Sequence, residues 1–196
     1  LVDLRDAVDE TTNVRAPLTR VSNVAQVEAN PGSYFVDEAL DSVWVHMRGG
    51  IQPINTENML LIRADGTENL EPINTNIQVY IENMQLFGRV RKASNVSAPD
   101  ARLIIRDCNV AYGTDNSNLV EIYGGDYVVL ANSTFSHTGD DLLNWHTQGG
   151  SDSLNVIEHN VVAGYNGYDS GNNQCSTLHD GCDGLRINGY YFASQD

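Results

Sequence analysis

Two adjacent carboxylates, Asp140 and Asp141, follow Gly139 at the mouth of a β-rich run, and they are the residues of this sequence best suited to chemistry. Like charges this close push one pKa up, so that one carboxyl keeps its proton and can act as a general acid. The same pair could instead hold Ca2+ together with backbone oxygens, because hard cations want clustered carboxylates. An Asp pair that only caps a turn is the third reading. A hydrolytic site needs a further carboxylate to activate water, and Glu121 stands one repeat earlier. His137, His146 and His179 are alternative bases, since imidazole titrates near neutrality.

Alternation places these groups on strands. In Leu119-Val-Glu-Ile-Tyr123 and Leu142-Leu-Asn-Trp-His146, Val120, Ile122, Leu143 and Trp145 point inward. Glu121 and Asn144 then share one outward column, and Tyr123 and His146 share the next. Gly184-Leu-Arg-Ile-Asn188 aligns as a third such strand, adding Arg186 to the first column and Asn188 to the second, with Leu185 and Ile187 inward. An earlier strand sets Arg91 beside Glu121, with Val90 inward. A flat sheet face carrying these side chains is a natural sugar-binding groove. His179 and Asp180 lie in a long Gly/Asn-rich loop, residues 164 to 184, and such loops overhang the binding face of a solenoid.

The strands recur. Segments 79–88, 103–113, 128–139 and 155–164 each read as a β-rich run, a polar residue, a second β-rich run and a Gly. The polar punctuation falls at Asn83, Asp107, Asn132 and His159, at intervals of 24, 25 and 27 residues. Helical stripes are missing from the region, so the repeated unit is made of strands. A strand-only repeat of this length is best satisfied by one turn of a parallel β-helix, whose short strands stack on their counterparts about 4.8 Å away. Asn suits the bends, because it tolerates the left-handed conformation and its side chain can bond the next Asn. The chain has 21 of them.

The first 58 residues read as a lead-in. Ser22 can cap a short helix over Val24–Ala29, ended by Pro31-Gly32, and the runs 33–37 and 42–47 alternate as a hairpin. Met59-Leu-Leu-Ile-Arg63 looks like an early coil, so residues 59–196 form the solenoid. The last residues follow a strand with no amphipathic cap, which predicts further coils or a partner chain, as in a homotrimer, over the open end.

Composition narrows the partners. The chain has 196 residues and a net charge of −15, and its longest aliphatic run, residues 59 to 62, is far too short to span a bilayer. So acidic a surface repels phosphate backbones, which removes the main source of nucleic-acid affinity. Between Asp107 and Asp183 there are 11 acids and no Lys or Arg. Of three cysteines, Cys108 sits in an apolar run, while Cys175 and Cys182 are placed where an oxidising compartment could bridge them or leave them as thiols.

The run from Val128 to Gly164, with Gly139-Asp140-Asp141 and an Asn-bearing coil after a Gly-rich loop, resembles the pectin-lyase-like right-handed parallel β-helix superfamily. It is most similar there to polygalacturonase-type glycoside hydrolases, whose coils carry Asn-Thr-Asp, Gly-Asp-Asp, Gly-His-Gly and Arg-Ile-Lys motifs. Thr114-Asp115 resembles the first motif with Gly113 in place of Asn, and residues 139 to 141 match the second. The third has no counterpart near residues 163 to 167, and residues 186 to 188 match the fourth with Asn in place of Lys. The resemblance implies an all-β solenoid, hydrolytic roles for Asp115, Asp140 and Asp141, and Arg186 as a sugar-binding cation. Phage tailspikes of the same architecture share Gly-Asp-Asp.

Taken together, the sequence predicts a carbohydrate-active, extracellular protein (secreted, cell-surface or virion) that hydrolyses a polysaccharide with no required cofactor. Asp140 or Asp141 would protonate the glycosidic oxygen and Asp115 or Glu121 would activate water. A non-catalytic adhesin or tail-spike stalk is the second expectation. A Ca2+-dependent lyase is the third, disfavoured because the acidic coils offer no cation for an anionic uronate.

Overall fold

The computed structural model describes residues 2–3, 17–40, 42–47, 59–60, 76–92, 98–113, 117–147, 153–167 and 173–194. The chain divides into two compact units, residues 1–10 with 14–62, and residues 11–13 with 63–196.

In the first unit, β1 (Val2–Asp3) and β2 (Thr19–Arg20) precede helix α1 (Val24–Ala29), and β3 (Ser33–Asp37) and β4 (Ser42–His46) form the expected antiparallel hairpin. The helix is capped by Asn23, one residue after the Ser22 read from sequence. Asn23 Oδ1 accepts the Gln26 N–H at 3.0 Å, and Ser22 instead donates its N–H and hydroxyl to Gln26 Oε1 at 2.9 and 2.8 Å. Strand β5 (Met59–Leu60) corrects the expected early coil: it runs antiparallel to β1, inside this unit. An aliphatic pair reads the same in either pairing direction, so its sequence could not tell.

The second unit is the all-β parallel solenoid that the repeat predicts. Its strands are β6 (Gln78–Glu82), β7 (Gln85–Phe87), β8 (Val90–Lys92), β9 (Arg102–Arg106), β10 (Asn109–Ala111), β11 (Val120–Tyr123), β12 (Tyr127–Ala131), β13 (Thr134–Thr138), β14 (Leu143–His146), β15 (Asn155–His159), β16 (Val162–Asn166), β17 (Ser176–Leu178), β18 (Asp183–Ile187) and β19 (Tyr190–Ser194). Every third strand pairs in parallel. The first sheet is β6, β9, β12, β15 and β18; the second is β7, β10, β13, β16 and β19; the third is β8, β11, β14 and β17.

Inward residues stack in columns between the sheets. Ile81, Ile105 and Leu130 align, as do Leu86, Val110, Phe135 and Ala163, and as do Val90, Val120 and Leu143. Leu130, Phe135, Leu143 and Trp145 are fully buried, each contributing roughly 1.5–3 kcal/mol by leaving water.

The bends explain the spacing. Asn83, Asp107, Asn132, Asn160 and Asn188 all take the left-handed conformation, with φ of 56°, 51°, 49°, 52° and 52°. Asn132 Nδ2 donates to Asp107 Oδ1 at 3.0 Å and Asn160 Nδ2 to Asn132 Oδ1 at 2.8 Å, so side chains ladder along the edge. The fourth bend is therefore Asn160, not His159, which ends β15. The short amide side chain meets the left-handed bend and the ladder together.

A second bend was not foreseen. Tyr112, His137 and Tyr165 adopt φ of 64°, 61° and 61°, where bulky residues cost roughly 1–2 kcal/mol each. Their rings join Phe87 and Phe192 in one column, with neighbouring centroids 5.4, 5.5, 5.1 and 5.2 Å apart. Ring pairs worth about 0.5–1.5 kcal/mol each offset that strain. At the third bend only glycine fits position 125: φ is 132° and a Cβ would lie 2.9 Å from the Ala101 carbonyl oxygen. Cys108, Cys175 and Cys182 are all free thiols. Burial raises the last two, Cys182 to about 11, so both stay protonated at neutral pH.

Candidate functional site

Four of the sequence-predicted residues, Glu121, Tyr123, Asn144 and His146, lie on the outer face of the third sheet. Register sets Arg91, Glu121, Asn144 and Thr177 in one column. Arg91 thus stands beside Glu121 in the register read from the sequence. The column is covered rather than open, since Glu121 is 6% exposed and Asn144 is 7% exposed. Glu121 Oε2 pairs with Arg89 and, at 3.1 Å, with Arg91 Nε. Its Oε1 accepts from Asn118 Nδ2 at 2.6 Å and from the Tyr123 hydroxyl at 3.3 Å. Two guanidiniums and two further donors compensate the desolvation of this carboxylate.

Asp141 borders the same column at its other end. Its Oδ1 accepts the Gln174 N–H at 2.6 Å and its Oδ2 accepts from the Thr177 hydroxyl at 3.1 Å. Burial pushes the Asp141 carboxyl above the usual range, the Gln174 and Thr177 hydrogen bonds oppose this, and neighbouring Asp140 adds to it. Asp140 is itself half-buried, and its N–H donates to Ser117 O at 3.3 Å. Asn118 joins the two ends: its Nδ2 serves Glu121 while its Oδ1 accepts the Asp141 N–H at 3.1 Å. Both Asp141 oxygens face protein donors, the arrangement of a hydrogen-bonded carboxylate. Among the described residues no group of three or more His, Cys, Asp or Glu gathers as a metal cage.

The neighbouring column is a stack of rings. His146 lies between Tyr123 and His179, 4.2 and 4.3 Å away, with planes within 7° and 2° of parallel. Both faces of His146 are covered, so it offers a ligand an edge and not a surface for sugar stacking. Burial lowers the His146 pKa below 6.5, His179 lowers it further, and Glu121 and Asp180 oppose the shift. The folded protein therefore prefers neutral His146. That preference contributes full stability above pH 6.5 and is lost as pH falls through the lowered pKa. His146→Phe keeps a ring in the stack without the titration. Its Tm is expected to fall less than the wild-type Tm on going from neutral pH to well below 6.5, as measured by thermal melts across that range; parallel curves would refute it.

Two predicted residues lie elsewhere. Arg186 belongs to β18 and pairs with β15 in the first sheet, and its guanidinium turns inward to Glu158 at 3.2 Å. Leu185 and Ile187, read as inward, are 54% and 40% exposed. The strand that continues the third sheet is β17, whose Ser-Thr-Leu run carries too little apolar signal to be noticed. His179 follows it directly and takes the ring position that the sequence reading gave to Asn188. Asp180 sits exposed at a left-handed bend (φ 51°), its carbonyl accepting from the Thr147 hydroxyl at 2.7 Å. Asp115 falls outside the described residues.

Sequence reasoning missed Arg89, Asn118, Gln174 and Thr177. Only Arg89 had a signal, two positions before Arg91 and so on the same strand face. The others enter from loops or from β17, where no periodicity marks them. No protein-family model, curated protein or solved structure matches the chain.

Proposed function

We propose that the protein binds an extracellular polysaccharide along the outer face of the third sheet and hydrolyses its glycosidic bonds with Asp141 as general acid. The observation that carries the reading is the buried Asp141 carboxyl at the edge of a polar column on a solenoid face, joined through Asn118 to Glu121. Asp141 gives its proton to the glycosidic oxygen as the C–O bond breaks, and a water held by Glu121 attacks the sugar carbon and loses its proton to that carboxylate. Glu121 and Thr177 are two strands apart, about 10 Å, and Asp141 reaches Thr177. The reading requires the Glu121 and Asp141 carboxyls to stand the roughly 6.5–9.5 Å apart that leaves room for water in inverting enzymes. A parallel solenoid with paired carboxylates is also what the resemblance to polygalacturonase-type members of the pectin-lyase-like superfamily implies.

A second reading, a non-catalytic adhesin or spike stalk, is favoured by one observation: all four carboxylate oxygens of Glu121 and Asp141 already accept from protein donors. A panel of neutral and acidic polysaccharides assayed for reducing ends separates the two. Release is expected on hydrolysis, binding without release supports the adhesin, and neither would refute both.

A further inference from the structure

On the third sheet's outer face both carboxylate oxygens of Glu121 and of Asp141 meet protein donors, whereas β14 between them carries acceptors that meet none. Asn144 Oδ1 and His146 Nε2 are enclosed and meet no hydrogen-bond partner. The two residues are two positions apart on one strand, so they point from the same face about 6.6 Å apart. Their neighbours along each column are occupied: Glu121 and Thr177 flank Asn144 and bond other groups, and Tyr123 and His179 cover His146.

We infer that β14 is the floor of a subsite for one neutral sugar residue, with Asn144 Oδ1 accepting from one hydroxyl and His146 Nε2 pairing with a second. The inference rests on the reading of this face as glycan-binding and narrows it to a substrate class. An amide oxygen only accepts, so it needs a donor opposite. A hydroxyl donates to Asn144 and either donates or accepts at His146, whichever ring nitrogen holds the proton. A uronate carboxylate is acceptor-only and would set lone pairs against the Asn144 oxygen. Arg89 and Arg91, which would otherwise attract a uronate, already pair with Glu121.

An enclosed acceptor kept without a partner weakens the unliganded fold, and a bound hydroxyl would supply the missing hydrogen bond. Asn144→Leu replaces it with an apolar side chain of similar size. The variant is expected to melt at or above the wild-type Tm, while its binding to neutral oligosaccharides on a glycan array falls at least about tenfold. Uronate oligosaccharides should bind neither protein. Asn144→Ala removes the same oxygen and gives the same binding readout if Leu is not accommodated. Unchanged neutral-glycan binding by both variants, or wild-type preference for uronates, overturns the subsite and leaves the glycan-binding face standing. A lowered Tm with unchanged binding assigns Asn144 to the fold alone and overturns it too. If the wild type binds no glycan of either class, the glycan reading fails and the subsite with it. Neutral glycans bound but not cleaved remove the hydrolysis alone.

Discussion

Asp141→Asn is expected to lower reducing-end release by about 10^2 to 10^4-fold, the range for loss of a positioned general acid, while leaving the fold as stable as wild type or more so at neutral pH. The two halves of that expectation come from one cause. Burial raises the Asp141 pKa above its unfolded value, so the folded chain takes up this proton more readily than the unfolded chain does. The associated stability is fully present below the ordinary carboxylate range and is lost as pH rises through the raised pKa. Asn carries no charge to desolvate, and its Oδ1 can still accept the Gln174 N–H. Thr177 can turn its hydroxyl to Gln174 Oε1, already 3.3 Å away. Wild-type Tm should therefore fall relative to the variant as pH rises through that window. Unchanged turnover in Asp141→Asn would remove Asp141 as the acid. A large drop in Tm at neutral pH would make it a structural residue instead.

The solenoid was legible because its two requirements, short alternating strands and a residue tolerant of a left-handed bend, are both written in residue type. Asn83, Asp107 and Asn132 marked their bends correctly. Position 159 misled because His and Asn are adjacent at 159 and 160, and alternation locates a strand better than it locates the strand's last residue. Tyr112, His137 and Tyr165 were invisible as bends, because nothing local favours a left-handed aromatic residue. Their conformation is held by rings one circuit away, which sequence order separates by 25 to 28 residues.

The site was half legible for a related reason. Alternation fixed the columns through Glu121, Asn144, Tyr123 and His146, since β11 and β14 are apolar on one side. It failed at the next circuit, where β17 is short and polar, and Arg186 was assigned to the wrong sheet. Charge read along the chain also differs from charge read in space. The cation-free stretch from Asp107 to Asp183 argued against an anionic ligand, yet parallel stacking brings Arg89 and Arg91 from the preceding circuit onto Glu121. What still argues against a uronate is that those cations are engaged.

A polar residue whose loss should cost the fold heavily is Glu158, which sequence singled out only as one acid among many. It occupies an inward column with Ile105 and Leu130 and is 1% exposed. Its Oε1 accepts from Trp145 Nε1 at 2.8 Å and from the Ser176 hydroxyl at 2.7 Å, while Oε2 meets Arg186 Nε at 3.2 Å and the Tyr191 hydroxyl. Burial and the hydrogen bond to Glu158 push the Tyr191 phenol well up, so it remains a donor. Glu158→Ala strips the acceptor from a buried indole N–H and a phenol and leaves a guanidinium without its partner carboxylate. Arg186 is 38% exposed and can meet water, so the cost falls on the two stripped donors, about 1–3 kcal/mol each, or a Tm lower by roughly 4–24 °C at about 2–4 °C per kcal/mol for a chain of this size. Glu158→Gln keeps two acceptor sites without the charge and should fall between Ala and wild type. The double variant Glu158→Met with Arg186→Met removes both charges and should melt above Glu158→Ala. A Glu158→Ala variant within about 1 °C of wild type would mean that water enters and solvates the network, and that the polar groups between the sheets contribute nothing to holding these circuits together.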